Sequence, residues 1–323
     1  MPTPSHSYEH NFLFSVKRLK PAPISERISN RVKFIQRIHQ MKTSFKNLII
    51  FLVTITSLHA WAAMPSDPRG YPVFLVNSAG TGSGCLVQLS NSVYLITAKH
   101  VLFAPSDGTN PPALISPGLT VKVFSGKNGT NDEHGFILLD MVKLWKNGEV
   151  RYSKDRDIAL VRFADCKSDD KLQTKEIDGV LFRGSQNCSL NMRDALCPIK
   201  DIQVGAEVFM FGYPVSLTAG ISEIFDPTDP LLRRGIVAGV NLKNSVVIID
   251  CPSYQGNSGG PVLEVDPVSL TEYRFRIIGI VSRFIPFQEV WENKTLKYSH
   301  IIASNSGYTI IEPIDFAVDL AWK

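Results

Sequence analysis

The sequence predicts an all-β fold of the antiparallel sandwich or barrel type. Short runs of β-branched and aromatic residues, four to nine residues long, recur between turn signals from residue 71 onward. No long stretch keeps the apolar period of about 3.6 residues that marks an amphipathic helix. The length of 323 residues, with 44% apolar residues, provides core for one large or two ordinary domains and excludes a disordered chain.

Twelve segments are predicted to be strands, at residues 71–77, 85–89, 92–97, 119–124, 136–144, 157–163, 207–212, 235–240, 245–250, 260–265, 275–282 and 308–314. A short C-terminal helix is expected at 315–322. The loop-rich stretch 165–204 is the expected boundary between two β halves, at about 70–165 and about 205–314.

The N-terminal 62 residues have the composition of an export signal. Lys42 and Lys46 precede an apolar run, and Ala60-Trp61-Ala62 matches an Ala-x-Ala cleavage signal. A signal peptide is therefore predicted at 41–62, with residues 1–40 interpreted as a mis-assigned upstream start or a long n-region. Residues 63–323 are then an exported domain, periplasmic or extracellular.

An uncleaved membrane anchor is the alternative reading of the same segment. Residues 47–66 carry no charge and number 20, close to the minimum for a membrane span. The second half of this stretch is less apolar and contains His59 and Trp61. Contact with a membrane is therefore expected only if the signal peptide remains uncleaved.

Most of the basic charge lies in this leader. The whole chain has 34 basic and 30 acidic residues, a net charge of +4. Residues 1–62 hold nine of the basic and two of the acidic residues, which leaves 25 and 28 and a net charge of −3 for the rest. No nucleic-acid partner is therefore predicted for the exported domain.

Three short motifs carry residues suited to acyl transfer: His100 after one predicted strand, Asp157 at the entry of another, and Ser258 in a glycine-rich turn. A serine hydroxyl needs an adjacent base, a neutral histidine can supply it, and a buried aspartate can orient the histidine. The N–H groups of Gly256 and Ser258 are predicted to converge as an oxyanion hole.

Each motif alone also fits a structural role, as a strand-end histidine, a turn aspartate or a plain hairpin. Their order and spacing favour one constellation, because His100, Asp157 and Ser258 occur in that order with separations of 57 and 101 residues. This order is the one found in chymotrypsin, whereas subtilisin and the α/β-hydrolases have other orders.

The chain resembles the chymotrypsin-fold, trypsin-like serine proteases, nearest the bacterial secreted and HtrA-type branch. The matching residues, over about 70–284, are Gly82-Ser83-Gly84, Thr97-Ala98-Lys99-His100, Asp157-Ile158-Ala159-Leu160, Gly212-Tyr213-Pro214 and Gly256-Asn257-Ser258-Gly259-Gly260-Pro261. The resemblance implies two perpendicular six-stranded antiparallel β-barrels with the active site in the cleft between them. It further implies an endopeptidase acting on protein or peptide substrates, with no cofactor. Few residues follow the last predicted strand, at 308–314, so no added peptide-binding (PDZ) domain is expected there.

Two residues depart from the family pattern. The digestive members carry Asp immediately before the nucleophile, where this chain has Asn257. An amide cannot form the ion pair that switches on those zymogens, so no such switch is expected. Lys99 stands before the histidine and is expected to face solvent.

The resemblance also places the substrate-binding residues. Pro252, Ser253 and Gln255 are expected to form one wall of the primary pocket, and Ser282 and Phe284 the strand that pairs with a substrate backbone. Because Pro252 is not acidic, a Lys/Arg preference is not expected, and a small or medium apolar side chain is predicted instead. Alternatively, Phe284 packs into the barrel and has no role in specificity.

Cysteines and the remaining histidines give weaker signals. Five cysteines leave at least one thiol unpaired or paired between chains, and Cys188 with Cys197 is the best local candidate for a disulfide. His134 lies in a polar turn, and no histidine or cysteine spacing fits a zinc site. A peptide-binding module of the pseudoprotease type remains the alternative to an enzyme.

Overall fold

The computed structural model describes residues 33, 39–42, 71–105, 112–123, 135–166, 172–173, 177–183, 195–217, 226, 229–268 and 273–322. The chain divides into two compact units, Met1–Trp61 and Ala62–Lys323. In the first unit the described residues, 33 and 39–42, are helical. The predicted signal peptide lies outside the described residues apart from Met41 and Lys42. No helix in the described ranges is long and apolar enough to cross a membrane.

The second unit begins with a nine-stranded antiparallel sheet. Its strands are β1 (Pro72–Asn77), β2 (Gly80–Leu89), β3 (Ser92–Thr97), β4 (Gly118–Val123), β5 (Gly135–Asp140), β6 (Val150–Tyr152), β7 (Ala159–Cys166), β8 (Leu172–Gln173) and β9 (Val180–Arg183). They pair in the order β6-β7-β3-β2-β1-β4-β5-β9, and β8 pairs with β7. Two short helices accompany them, α1 (Lys99–Leu102) and α2 (Met141–Lys146).

The remaining strands close into a six-stranded antiparallel barrel. They are β10 (Glu207–Gly212), β11 (Leu231–Asn241), β12 (Val246–Asp250), β13 (Pro261–Pro267), β14 (Tyr273–Asn293) and β15 (Tyr298–Pro313), in the order β10-β11-β12-β15-β14-β13. Single 3₁₀ turns lie at Ile199–Asp201 and Val215–Leu217, and helix α3 spans Asp315–Ala321. The C-terminal helix predicted at 315–322 is therefore confirmed.

The two sheets share one pairing scheme, which confirms the predicted two-barrel fold. In the first sheet β1 pairs with β2 and β4, β2 with β3, β3 with β7, and β4 with β5. In the second, β10 pairs with β11 and β13, β11 with β12, β12 with β15, and β13 with β14. The pair that closes the ring, β14 with β15, belongs to the second sheet. In the first, β6 occupies the edge of β7 and β9 that of β5, so no ladder joins β5 to β7 among the described residues.

Side chains on the central strands of the first sheet alternate between two cores. Leu86 and Leu95 point into the first barrel, whereas their neighbours Val87 and Ile96 pack with residues of the second barrel. Helix α3 adds Leu320 to this shared cluster. This shared cluster is an apolar part of the contact between the barrels, and it holds the loops of one barrel against those of the other.

Three predicted strands have clearly different bounds in the structure. The strand predicted at 136–144 ends at Asp140, where the Asp140 carboxylate accepts a hydrogen bond from the Lys143 N–H and caps helix α2. The strands predicted at 275–282 and 308–314 belong to a much longer hairpin, β14–β15. The pairing of β14 with β15 continues outward to Asn293 and Tyr298.

Candidate active site

His100 is held at the surface by the helix that follows β3. In the four-residue helix α1, Val101 and Leu102 are buried in the core of the first barrel. His100 points the other way, and 48% of its side chain is exposed. The apolar pair therefore anchors the helix and leaves the imidazole facing outward.

Asp157, just before β7, binds His100 through both carboxylate oxygens. His100 Nδ1 lies 2.8 Å from Oδ2, and the backbone N–H of His100 donates to Oδ1 at 3.0 Å. The hydroxyl of Ser282, from the second barrel, also donates to Oδ2 at 2.7 Å. Burial alone would raise the pKa of Asp157, but the hydrogen bonds from His100 and Ser282 outweigh it and hold the pKa below its ordinary value. An ionised carboxylate only accepts, so Nδ1 carries the ring proton and Nε2 is left as a base.

Two basic side chains, Lys99 and Arg156, hold the loop that carries Asp157 by hydrogen bonds to backbone carbonyls. Lys99 Nζ donates to the carbonyls of Ser153 and Lys154, at 2.9 and 3.2 Å. Lys99 therefore does not simply face solvent, as the sequence suggested, because these carbonyls lie within reach of its side chain. Arg156 donates to the carbonyl of Ser245 at 3.2 Å.

Ser258 lies in a tight turn that depends on two glycines. Gly256 has φ +96° and Gly259 has φ +84°, conformations that other residues rarely adopt. A Cβ at Gly256 would overlap the carbonyl of Tyr213, and one at Gly259 would overlap the carbonyl of Ser83. The described residues provide no hydrogen-bond acceptor for the N–H groups of Gly256 and Ser258.

Ser83, on β2, links this turn to the first barrel. Its hydroxyl donates to the carbonyl of Gly256 at 2.7 Å and accepts the N–H of Tyr213 at 3.1 Å. Its backbone N–H donates to the carbonyl of Ser258 at 2.9 Å, and its own carbonyl accepts the hydroxyl of Thr97 at 2.7 Å. The fully buried Ser83 thereby joins the segments that precede His100 and Ser258.

The nucleophile candidate and the histidine share one cavity without a direct hydrogen bond. Ser258 Oγ donates to the carbonyl of Ser282 at 3.5 Å. His100, Gly256 and Ser258 line a cavity of about 160 Å³ together with Gly80 and Thr81 at the start of β2. Catalytic hydrogen bonds are often long in substrate-free sites, so this geometry is compatible with a serine–histidine pair.

Two of the expected substrate-binding residues lie beside Ser258, because Gln255 lines the same cavity and the carbonyl of Ser282 accepts the hydrogen bond from the Ser258 hydroxyl. The carbonyl of Ser253 accepts from Asn305 Nδ2 at 2.7 Å, and its hydroxyl accepts from Thr309 at 2.9 Å. Gln255 is exposed and Pro252 half-buried, while 43% of Phe284 is exposed. Phe284 is therefore not packed inside the barrel, which removes the alternative reading of this residue.

The cysteine prediction is wrong at Cys197. Cys85, Cys197 and Cys251 are buried free thiols, so Cys197 does not pair with Cys188, which lies outside the described residues. The Cys197 thiol instead donates to the carboxylate of Glu264 at 3.4 Å. His134 lies outside the described residues, and no group of three or more potential metal ligands occurs within the described ranges.

Residues 82–267, more than half of the chain, match the family model described as the trypsin-like peptidase domain. The chain belongs to this family. A comparison with curated proteins gave no match. The match within the family covers β2 to β13 and includes His100, Asp157 and Ser258.

Three solved structures illustrate what this trypsin-like chain is similar to. The HtrA-type protease AlgW with tripeptide is 15% identical (TM-score 0.42), with 80% of this chain and 63% of that chain covered. Deg5 is 17% identical (TM-score 0.41), with 78% and 88% covered. An inactive form of Rv3671c from M. tuberculosis H37Rv is 13% identical (TM-score 0.37), with 80% and 86% covered. The chain thus spans less than two thirds of AlgW.

Sequence reasoning missed the residues that act through others. Ser83 was part of a matching motif without a role, and Ser282 was expected only to pair with substrate. Glu312 was not considered, although its carboxylate accepts the N–H of Asp157 at 3.4 Å. These contacts join residues 125 to 173 positions apart in the sequence. They could not be predicted from local sequence patterns.

Proposed function

We propose that the protein is an exported serine endopeptidase with Ser258 as nucleophile, His100 as general base and Asp157 as its orienting partner. The observation that carries the proposal is the Asp157 carboxylate, which holds both the ring and the backbone of His100 beside Ser258. Membership of the trypsin-like peptidase family supports the same assignment. The mechanism requires no metal or cofactor.

The reaction begins when Ser258 Oγ attacks the scissile carbonyl carbon and gives its proton to His100 Nε2. For this transfer the Ser258 side chain rotates, so that its hydroxyl donates to His100 Nε2 instead of to the carbonyl of Ser282. The oxyanion that forms accepts hydrogen bonds from the N–H groups of Gly256 and Ser258. Asp157 remains ionised and stabilises the imidazolium.

Collapse of the tetrahedral intermediate breaks the C–N bond. The proton on His100 passes to the leaving amine, and an acyl group stays on Ser258 Oγ. Water then attacks this ester, gives a proton to His100, and the acid product departs as Ser258 regains its proton. The cavity beside Gly80 and Thr81 would hold the residues on the leaving-amine side.

A fluorophosphonate probe tests the nucleophile directly, because it labels only an activated serine. Residues 63–323 should be labelled on Ser258, and His100→Ala should abolish the labelling while the fold is retained. Absence of label on the folded protein would contradict the proposal.

A peptide-binding module of the pseudoprotease type is the second candidate. It is favoured by one observation, the hydrogen bond of Ser258 to the Ser282 carbonyl instead of to His100. A protein that binds peptides but neither cleaves them nor takes the probe would support it.

Export is the remaining part of the proposal. The positive, apolar and Ala-x-Ala pattern of residues 41–62 supports it. N-terminal sequencing of protein recovered outside the cytoplasm should find a start near Ala63, and an intact leader would favour the membrane anchor.

A further inference from the structure

The outer part of the β14–β15 hairpin, residues 286–304, is an exposed ribbon that we call the arm. Every residue in it is exposed, and residues 286–293 pair only with β15 in the described structure. Seven of its side chains are large and apolar: Phe287, Val290, Trp291, Tyr298, Ile301 and Ile302 on the strands, and Leu296 in the turn at the tip. Soluble proteins rarely gather so many large apolar side chains in the open without a partner.

The register of the hairpin sorts these side chains between two faces. Trp291 pairs with His300, and Phe287 with Ser304, so Phe287, Trp291, Tyr298 and Ile302 share one face. Val290 and Ile301 are a cross-strand pair on the other. The first face thus carries the exposed rings of Phe287, Trp291 and Tyr298, with Glu289 between Phe287 and Trp291.

One edge of the arm is continuous with the edge of the site. The N–H of Gly259 donates to the carbonyl of Val281 at 2.7 Å, and the N–H of Val281 donates to the carbonyl of Gly260 at 2.9 Å. Beyond Val281 no strand in the described ranges pairs with this edge of β14. The open edge therefore starts at Ser282, whose carbonyl lies 3.5 Å from Ser258 Oγ, and runs into the arm.

The backbone of this edge is oriented to accept another strand. The carbonyls of Ile285 and Phe287 face β15, where they accept hydroxyl hydrogens from Ser306 and Ser304. Because backbone groups alternate along a strand, those of Pro286 and Gln288 face the open edge. Pro286 offers only its carbonyl, because proline has no N–H, whereas Gln288 offers both a donor and an acceptor. An extended chain that passes Ser258 can therefore continue along the arm with one ladder hydrogen bond missing at Pro286.

We propose that the arm binds an extended, apolar segment of the substrate polypeptide by strand addition to β14. In the antiparallel sense shared by all pairs of this barrel, the bound segment is N-terminal to the scissile bond. The arm carries both Glu289 and Glu292 and Lys294 and Lys297, so its charge favours neither sign. Apolar side chains therefore set the preference. The inference rests on the proposed function for its direction, but binding can be measured without cleavage.

Two peptides with one cleavable sequence test the proposal. One has an N-terminal extension of six apolar residues, and the other an extension of six Gly and Ser residues. Fluorescence anisotropy measures Kd for the Ser258→Ala protein, and steady-state kinetics give KM for the active protein. The variants are Phe287→Ser with Trp291→Ser on the arm and, as a matched control, Leu242→Ser, which removes an equally exposed apolar side chain on the β11–β12 turn.

We expect the apolar extension to bind at least about tenfold more tightly than the polar one, and the arm variant alone to lose this difference. KM for the polar peptide and all kcat values should stay the same. Equal binding of both peptides would overturn the proposal. So would an arm variant that leaves peptide binding unchanged and alters only the oligomeric mass of the protein in solution or its binding to lipid vesicles. Binding without cleavage or probe labelling would instead overturn the proposed function and leave the arm inference standing.

Discussion

The hydroxyl of Ser83, in the first barrel, donates a hydrogen bond of 2.7 Å to the carbonyl of Gly256, in the turn that carries Ser258. The same hydroxyl accepts the N–H of Tyr213, so one buried side chain holds two segments of the second barrel. The position of the proposed oxyanion donors therefore depends on a residue of the opposite barrel.

Ser83→Ala should lower kcat about tenfold with little change in KM. The substitution leaves a buried carbonyl and a buried N–H unpaired, which costs about 1–3 kcal/mol each, and it frees the turn to move. Ser92→Ala is the control, because it removes a first-barrel hydroxyl that bonds Asp165 away from the site. Equal losses of kcat in both variants would show a general effect on folding instead.

Ser282→Ala should weaken the orientation of His100 through Asp157. Removal of a 2.7 Å hydrogen bond takes away one of the interactions that lower the pKa of Asp157, so this pKa should move upward. We expect kcat/KM to fall about tenfold at neutral pH. Carboxyl NMR titration of Asp157 measures the shift, and an unchanged titration would contradict this role of Ser282.

Gly256→Ala should abolish most activity. Alanine at φ +96° is strained, and its Cβ would meet the carbonyl of Tyr213, so the turn must change shape. Loss of one oxyanion donor alone lowers kcat by about 10²–10³. Gly148→Ala is the matched control, because Gly148 has φ +75° with open space around it. It should lose about 1 kcal/mol of stability and keep its kcat.

Glu312 should make stability depend on pH. Burial raises its pKa, although the N–H of Asp157 and the charge of Arg156 act in the opposite direction. The folded protein then binds this proton more tightly than the unfolded chain, so the free energy of unfolding falls as pH rises from the ordinary pKa of a glutamate through the raised one.

Glu312→Gln should remove this dependence, so its stability relative to wild type should improve with rising pH. Urea unfolding at acid and neutral pH measures the difference, with the exposed Glu292→Gln as control. A difference that is constant with pH would rule out the raised pKa.

Residue order and local motifs predicted that His100, Asp157 and Ser258 form one site, and their catalytic roles stay a prediction. The structure places His100 against Asp157 and in one cavity with Ser258. Runs of β-branched residues predicted most of the strands. Three features of the structure were not predicted from the sequence. The arm contains the charged residues Glu289, Glu292 and Lys294 between its apolar residues, so its sequence lacks the continuous β-branched run used to predict the other strands. Helix α2 follows β5 directly and depends on a cap at Asp140. Ser83 and Ser282 are ordinary strand residues until the fold brings distant partners to them.

Cleavage of an unfolded casein by residues 63–323, compared with the Ser258→Ala variant, tests the central claim most directly. The account predicts that wild type degrades casein and that Ser258→Ala keeps the fold but loses about 10⁶ in kcat. Equal degradation by the two proteins, or no degradation by folded wild type, would contradict it.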